Sequence, residues 1–156
     1  MRNQVKTAIF CAASLLSLWA VAVSKPVSPY TIDIPYEYPY VPGTQEWIDL
    51  GSTQARRKAS QVPDEVLEHM TTHALLLTVL NYPFRSDMYC FDTLEMGYHA
   101  FQKQCNSLQE FERRPDYLDV LSQYCEASSL RSENKKTMED MVAGTLYLVY
   151  TGNQYA

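Results

Sequence analysis

The sequence predicts an all-α fold: a single small domain of about five to seven short helices, preceded by an extended Pro/Tyr-rich arm. Three observations predict it. Apolar residues such as Leu94, Tyr98, Phe101, Cys105 and Leu108 recur at spacings of four and three, the period of a helix face. Thr, Ser and Pro residues punctuate the chain beyond residue 43 where helices would start and stop. Residues 25–43 carry five prolines and four tyrosines, which excludes a helix because an interior proline loses a donor and clashes with the preceding turn.

Residues 1–24, MRNQVKTAIFCAASLLSLWAVAVS, have the form of a secretory signal peptide. Arg2 and Lys6 give a basic start, Thr7 to Ala20 an apolar stretch short for a bilayer, and small residues allow cleavage after Ala22 or Ser24. Cys11 follows bulky Phe10 inside the apolar region, unlike a lipidated cysteine, and leaves with the leader. The remaining chain of roughly 130 residues suffices for one domain with one modest core. It holds no second long apolar run, so no transmembrane anchor is expected after cleavage.

Residues 25–43 read as an arm that lays its tyrosines on the domain surface. The helical domain, residues 44–156, follows. Thr44 caps QEWIDL, with Glu46 placed where the helix dipole favours an acid. Gly51 interrupts and Ser52 caps the next turn. Pro63, with Asp64 and Glu65 behind it, suits the first position of a short helix to about Met70. Thr71 or Thr72 caps HALLLTVLNY, which Pro83 closes. Its leucines and valine surround it, so it belongs at the centre of the core. Leu94 to Leu108 reads as one helical stripe. Gly97 weakens that helix by roughly 1 kcal/mol relative to alanine and permits a close neighbour. Pro115 makes a turn into a helix whose apolar side is Tyr117, Leu118, Val120, Leu121, Tyr124 and Cys125. Thr137 caps the last helix, whose end, TLYLVY, is rich in strand formers and suggests a short strand.

The whole chain has 13 Lys and Arg against 18 Asp and Glu, a net charge of −5. Arg2 and Lys6 leave with the leader, which takes the balance to −7. A nucleic-acid binder needs a basic footprint, so that class is disfavoured. The short basic groups Arg56-Arg57-Lys58, Arg113-Arg114 and Lys135-Lys136 read as solvated faces.

Three cysteines stay in the exported chain: Cys90, Cys105 and Cys125. Cys105 lies ten residues before Pro115 and Cys125 ten after, level with each other across a helical hairpin. That makes Cys105–Cys125 the candidate disulfide, although packed helix axes lie about 8–10 Å apart and bridged Cα atoms about 4.4–6.8 Å. The alternative is two buried thiols, with Cys90 a free, buried cysteine in either case. Cys90 as a nucleophile lacks a base: His99, nine residues on, would face the other way along one helix. Glu65, His69 and His73 fall at i, i+4 and i+8. HMTTH, however, has Met70 where the zinc-protease helix has its glutamate, and Thr71-Thr72 marks a new helix start. No phosphate loop or nucleophile elbow is present, and no cofactor or metal is implied.

The segments PGTQEWIDLGS, QVPDEVLEHMTTHALLLTVLNYPF and FQKQCNSLQEFERRPD resemble a set of uncharacterised exported bacterial proteins. Their shared pattern is PGTPEW, then QIPEEVLKNMSTEALLETVLNYP, then FNGLQELLKRKD, with no established activity for that region. The resemblance spans about Tyr38 to Tyr124. Some members continue into a second, larger domain, and nothing of that domain is carried over to this chain. Here Cys105 stands where the pattern has phenylalanine. His73 stands where it has glutamate, which removes a capping-box partner.

These observations favour an exported, non-enzymatic interaction or structural module with an unknown protein partner, periplasmic, envelope-associated or extracellular. The alternatives are a small hydrolase or metal-dependent enzyme built around His69, His73 and Cys90, or an inhibitor or immunity-type protein acting on a partner enzyme.

Overall fold

The computed structural model describes residues 29–131 and 135–152. The expected leader, residues 1–24, and the first residues of the arm lie outside that range. The described residues form α1 (Gln45–Asp49), α2 (Thr53–Ala59), α3 (Asp64–Leu67), α4 (Thr72–Leu80), α5 (Leu94–Gln104), α6 (Asn106–Glu112), α7 (Tyr117–Ser129) and α8 (Met138–Gly152). A 3-10 turn, Arg85–Cys90, lies between α4 and α5. The fold is all-α, and β pairing among the described residues is limited to one isolated bridge, Ile32 with Met70.

The capping residues behave as their chemistry dictates. The Thr44, Ser52 and Thr71 side chains accept from the Trp47, Ala55 and Ala74 amides, removing one orphan donor each. Pro63 occupies the N-cap of α3, one residue earlier than expected. With the cap at Thr71, position 73 is the second helical residue, so the capping-box role expected there does not arise.

Helix α4 is the centre. Seven of its nine residues are buried, and α6, α7 and α8 pack around it. Tyr117 meets Tyr150 at 5.3 Å between ring centroids, while Tyr124 donates to Asp140 nearer the other end. Helices α7 and α8 are therefore antiparallel.

The arm lies on the domain as expected. The Thr31 and Ile32 amides donate to the His69 carbonyl, and Ile32 accepts from the Thr71 amide. The Thr78 carbonyl, in the last turn of α4, accepts the Tyr38 hydroxyl at 3.3 Å, and the Thr78 hydroxyl accepts the Tyr36 amide. The arm thus helps satisfy the end of the central helix. Its tyrosines also extend an aromatic row, Tyr36–Tyr38–Tyr82–Phe84–Trp47, with centroid spacings of 5.1 to 5.9 Å.

Three expectations need correction. The stripe from Leu94 to Leu108 is two helices, because Cys105 leaves the helical region at φ −111°, ψ 99°. The freed Gln104 carbonyl accepts the Gln61 amide and the Tyr82 hydroxyl, and Asn106 pairs twice with the Val62 backbone. Distant partners replace the helical bonds. This break raises the α-helix count among the described residues to eight.

TLYLVY is helical through Gly152. Val142, Ala143 and Leu146 are buried against the core, and that packing overrides the weak strand preference.

Arg114 is also no solvated face. Its side chain is 2% exposed, ion-paired with Glu110 at 3.0 Å, bonded to the Leu67 carbonyl and stacked on Tyr30 at 3.8 Å. Among the described residues, no helix is long and apolar enough to cross a membrane.

Candidate functional site

The residues singled out by chemistry do not meet. Helix α3 ends at Leu67 and α4 starts at Thr72, so Glu65, His69 and His73 do not share one continuous helix. All three are exposed, and the His69 Nδ1 lies 2.9 Å from the Glu65 carbonyl. His99 faces Glu95 on its own helix at 3.9 Å. Among the described residues, no three of His, Cys, Asp and Glu form a group that could hold a metal ion.

The cysteines also separate. Cys90 ends the 3-10 turn and is exposed rather than buried, because Met88 and Tyr89 are the residues of the turn's end that face the core. Cys105 is fully buried at the α5–α6 break, with its Sγ 3.2 Å from the Ser107 hydroxyl. Burial pushes its thiol up to about 11. Cys125 is half-buried on α7, where burial and then Asp140 raise its thiol. The structure carries all three as free thiols.

Several concave surfaces remain among the described residues, one of them a pocket of about 560 Å³ between the arm and α3. Another is a groove of about 580 Å³ between α7 and α8. Buried Ser128 and Thr145, Gly144 and the exposed side chains of Met141 (55%) and Leu148 (64%) line it. Met141, Thr145 and Leu148 fall at i, i+4 and i+7, so exposed Met141 and Leu148 share one side of a helix whose core-facing stripe lies elsewhere, with buried Thr145 between them. Leu130 after α7 and Met138 at the start of α8 add exposed apolar surface at the loop end.

The groove's one acid is spent within the fold. The Asp140 side chain is 2% exposed and 2.7 Å from Arg131. It also accepts from the Thr137 amide and the Tyr124 hydroxyl. Burial alone would raise its pKa, but the Thr137 amide, Ser128 and Arg131 together hold it below the usual carboxylate range.

A smaller surface is a cleft of about 320 Å³ between α2, the 3-10 turn and α5. Beside it, α5 approaches the turn closely at Gly97, where a Cβ would lie 1.9 Å from the Met88 carbonyl oxygen. Phe84, Phe91 and Phe101 line it with Arg57, Asp87 and Cys90. Arg57 reaches Asp87 at 3.3 Å and lies over the Phe84 ring at 5.4 Å.

A third polar cluster is closed. Tyr98 and Tyr150 hydroxyls and the Gln102 amide converge on Glu112 at 2.6 to 2.7 Å. This joins α5, α6 and α8. Burial first, then Glu112, raises both phenols.

Sequence reading missed the groove and the cleft. The i, i+4, i+7 spacing on α8 was a signal for the groove, hidden by the strand reading of its end. Arg57 had no signal, since its neighbours arrive from 30 residues away. Comparison of the chain with protein families, curated proteins and solved structures finds no match.

Proposed function

We propose that the protein is an exported, non-enzymatic interaction module, of the kind suggested by its resemblance to exported bacterial proteins, whose working surface is the α7–α8 groove. The observation that carries this reading is the pair of exposed apolar side chains on α8, Met141 and Leu148, left outward on a helix that already supplies the core. Apolar surface gathered beside a concavity is the usual mark of a protein-binding site. The partner's chemistry follows from the lining. Asp140 is neutralised by Arg131, Lys136 is the other charged group of the lining, and hydroxyls, a thiol and apolar groups make up the rest. A mostly apolar groove with one lysine in its lining fits the apolar side of an amphipathic helix. The leader-like residues 1–24 support export.

The test is affinity capture from native envelope extract with wild type, Met141→Glu, Leu148→Glu and a surface control, Ile48→Glu, after each variant is shown to melt as wild type does. Wild type and control should retain the same partner, and both groove variants should lose it. Equal capture by all four proteins would refute the groove as the working surface.

A further inference from the structure

We infer that the cleft between α2, the 3-10 turn and α5 is a binding site for a small carboxylate with an aromatic or branched apolar body, and that Arg57 reads its anion. This site is separate from the α7–α8 groove and stands or falls independently of it.

The apolar half comes from the walls. Phe84, Phe91 and Phe101 enclose much of a volume of about 320 Å³, at the small end of ligand sites. Space of that size admits one ring with a short side chain and excludes a folded element. Phe91 is itself 41% exposed, so an apolar guest would cover surface that the fold leaves to water.

The polar half comes from Arg57. One terminal nitrogen of its guanidinium contacts Asp87, and its plane rests over Phe84. Its Nε is buried and no protein acceptor lies within reach. Arg85 and Arg114 share that property, but neither lines this cleft. Among the described residues, Arg57 is the one cation that lines this cleft. With its Nε shut off from the cleft, Arg57 meets an incoming carboxylate through its terminal N–H groups, a charge-assisted contact. Asp87, at 3.3 Å and 43% exposed, is a long, solvent-screened partner that an incoming carboxylate competes with rather than a neutraliser that closes the site.

The experiment titrates phenylacetate and its neutral isostere phenylacetamide into the folded protein, followed by backbone amide shifts, with acetate as the control for anion binding alone. Phenylacetate should move amides of Asp87, Cys90 and Phe101 and bind about ten-fold tighter than phenylacetamide. Acetate should bind far more weakly than either. Arg57→Gln should erase the preference for the acid. Asp87→Asn, which removes the competitor and leaves Arg57 in place, should tighten phenylacetate several-fold. Equal affinity for acid and amide, shifts centred elsewhere, no shift at millimolar ligand, or weaker phenylacetate binding in Asp87→Asn would each overturn the assignment. Should Arg57→Gln fail to fold, the acid-to-amide ratio and Asp87→Asn decide the matter alone.

Discussion

Gly97→Ala and Gly144→Ala make the same chemical change in two helices and should have opposite signs. Both residues lie inside helices, where alanine is favoured over glycine by about 1 kcal/mol. At Gly144 a Cβ would meet nothing within 4 Å, so propensity alone acts. At Gly97 the Cβ would sit 1.9 Å from the Met88 carbonyl oxygen, 2.9 Å from its carbon and 3.2 Å from its Cα. Those are backbone atoms, which cannot rotate away. Lengthening 1.9 Å to the 3.4 Å of an ordinary contact requires the turn or α5 to move by ~1.5 Å, and overpacking of that kind costs about 1–3 kcal/mol or more. The shift would also disturb Met88, which is 1% exposed in the core. Net of propensity, Gly97→Ala should destabilise by about 2 kcal/mol, lowering Tm by about 6–10 °C for a chain of this size. Gly144→Ala should raise Tm by about 3–5 °C. Thermal melts by circular dichroism, checked against urea midpoints, measure both. A Gly97→Ala protein as stable as wild type or more so would refute the close approach of α5 to the turn.

Tyr38→Phe keeps the ring contacts with Tyr36 and Tyr82 but removes the donor to the Thr78 carbonyl. It should lower the urea midpoint by the equivalent of about 1 kcal/mol at unchanged m, whereas an unmoved midpoint would mean that water serves that carbonyl. In the native, unreduced protein at pH 8, iodoacetamide should label exposed Cys90 first and Cys125 more slowly, and Cys105 only on unfolding, since burial pushes its thiol up to about 11. Two cysteines that resist alkylation even after denaturation would restore the Cys105–Cys125 bridge. Asp140 is held below its unfolded pKa, so its contribution is present above about pH 4 and is lost as pH falls through the depressed value. Asp140→Asn should flatten the acid limb of the stability curve, and an unchanged limb would argue against the buried pair with Arg131. On the alkaline side, Cys105, Tyr38 and Tyr82 titrate above their ordinary values because of burial. Their contribution is intact below the unfolded pKa values and should fade as pH rises beyond about 9.

What the sequence made legible was local. Thr44, Ser52, Thr71 and Thr137 were readable as caps because a cap depends on one side chain and an amide three residues on. The leucines of α4 marked the centre because a helix apolar on most sides has to be buried on most sides. Even Gly97 was readable as a close contact, though its neighbour Met88 was not. What failed were features made by distant partners. The break at Cys105 is held by Gln61, Val62 and Tyr82, from 22 to 44 residues away, and period counting across 94–108 passes straight through it. Asn106 and Ser107, both cap-type residues, were the local sign. Arg114 sat in a charged run that reads as surface, yet Tyr30 and the Leu67 carbonyl bury it. Arg57 and Asp87 needed the fold to meet at all.

The two helix glycines bear on function as well as on stability. Gly97 has its reason inside the fold, because Met88 occupies the space a methyl group would need. Gly144 has no such neighbour, lies inside α8, and lines the groove between Met141 and Leu148. Holding glycine there gives up about 1 kcal/mol of helix stability with nothing in the described residues to offset it. A close-approaching partner backbone would supply the reason, as small residues do wherever two helices meet at short range. Under the proposed function, Gly144→Ala should therefore separate two quantities that usually move together. It should raise Tm while weakening partner capture, because the added methyl stands where the partner would lie. Gly144→Ser, polar and only slightly larger, should weaken capture further with less gain in stability. If Gly144→Ala strengthens the fold and leaves capture unchanged, the glycine is unrelated to binding, and the argument for the groove rests on Met141 and Leu148 alone.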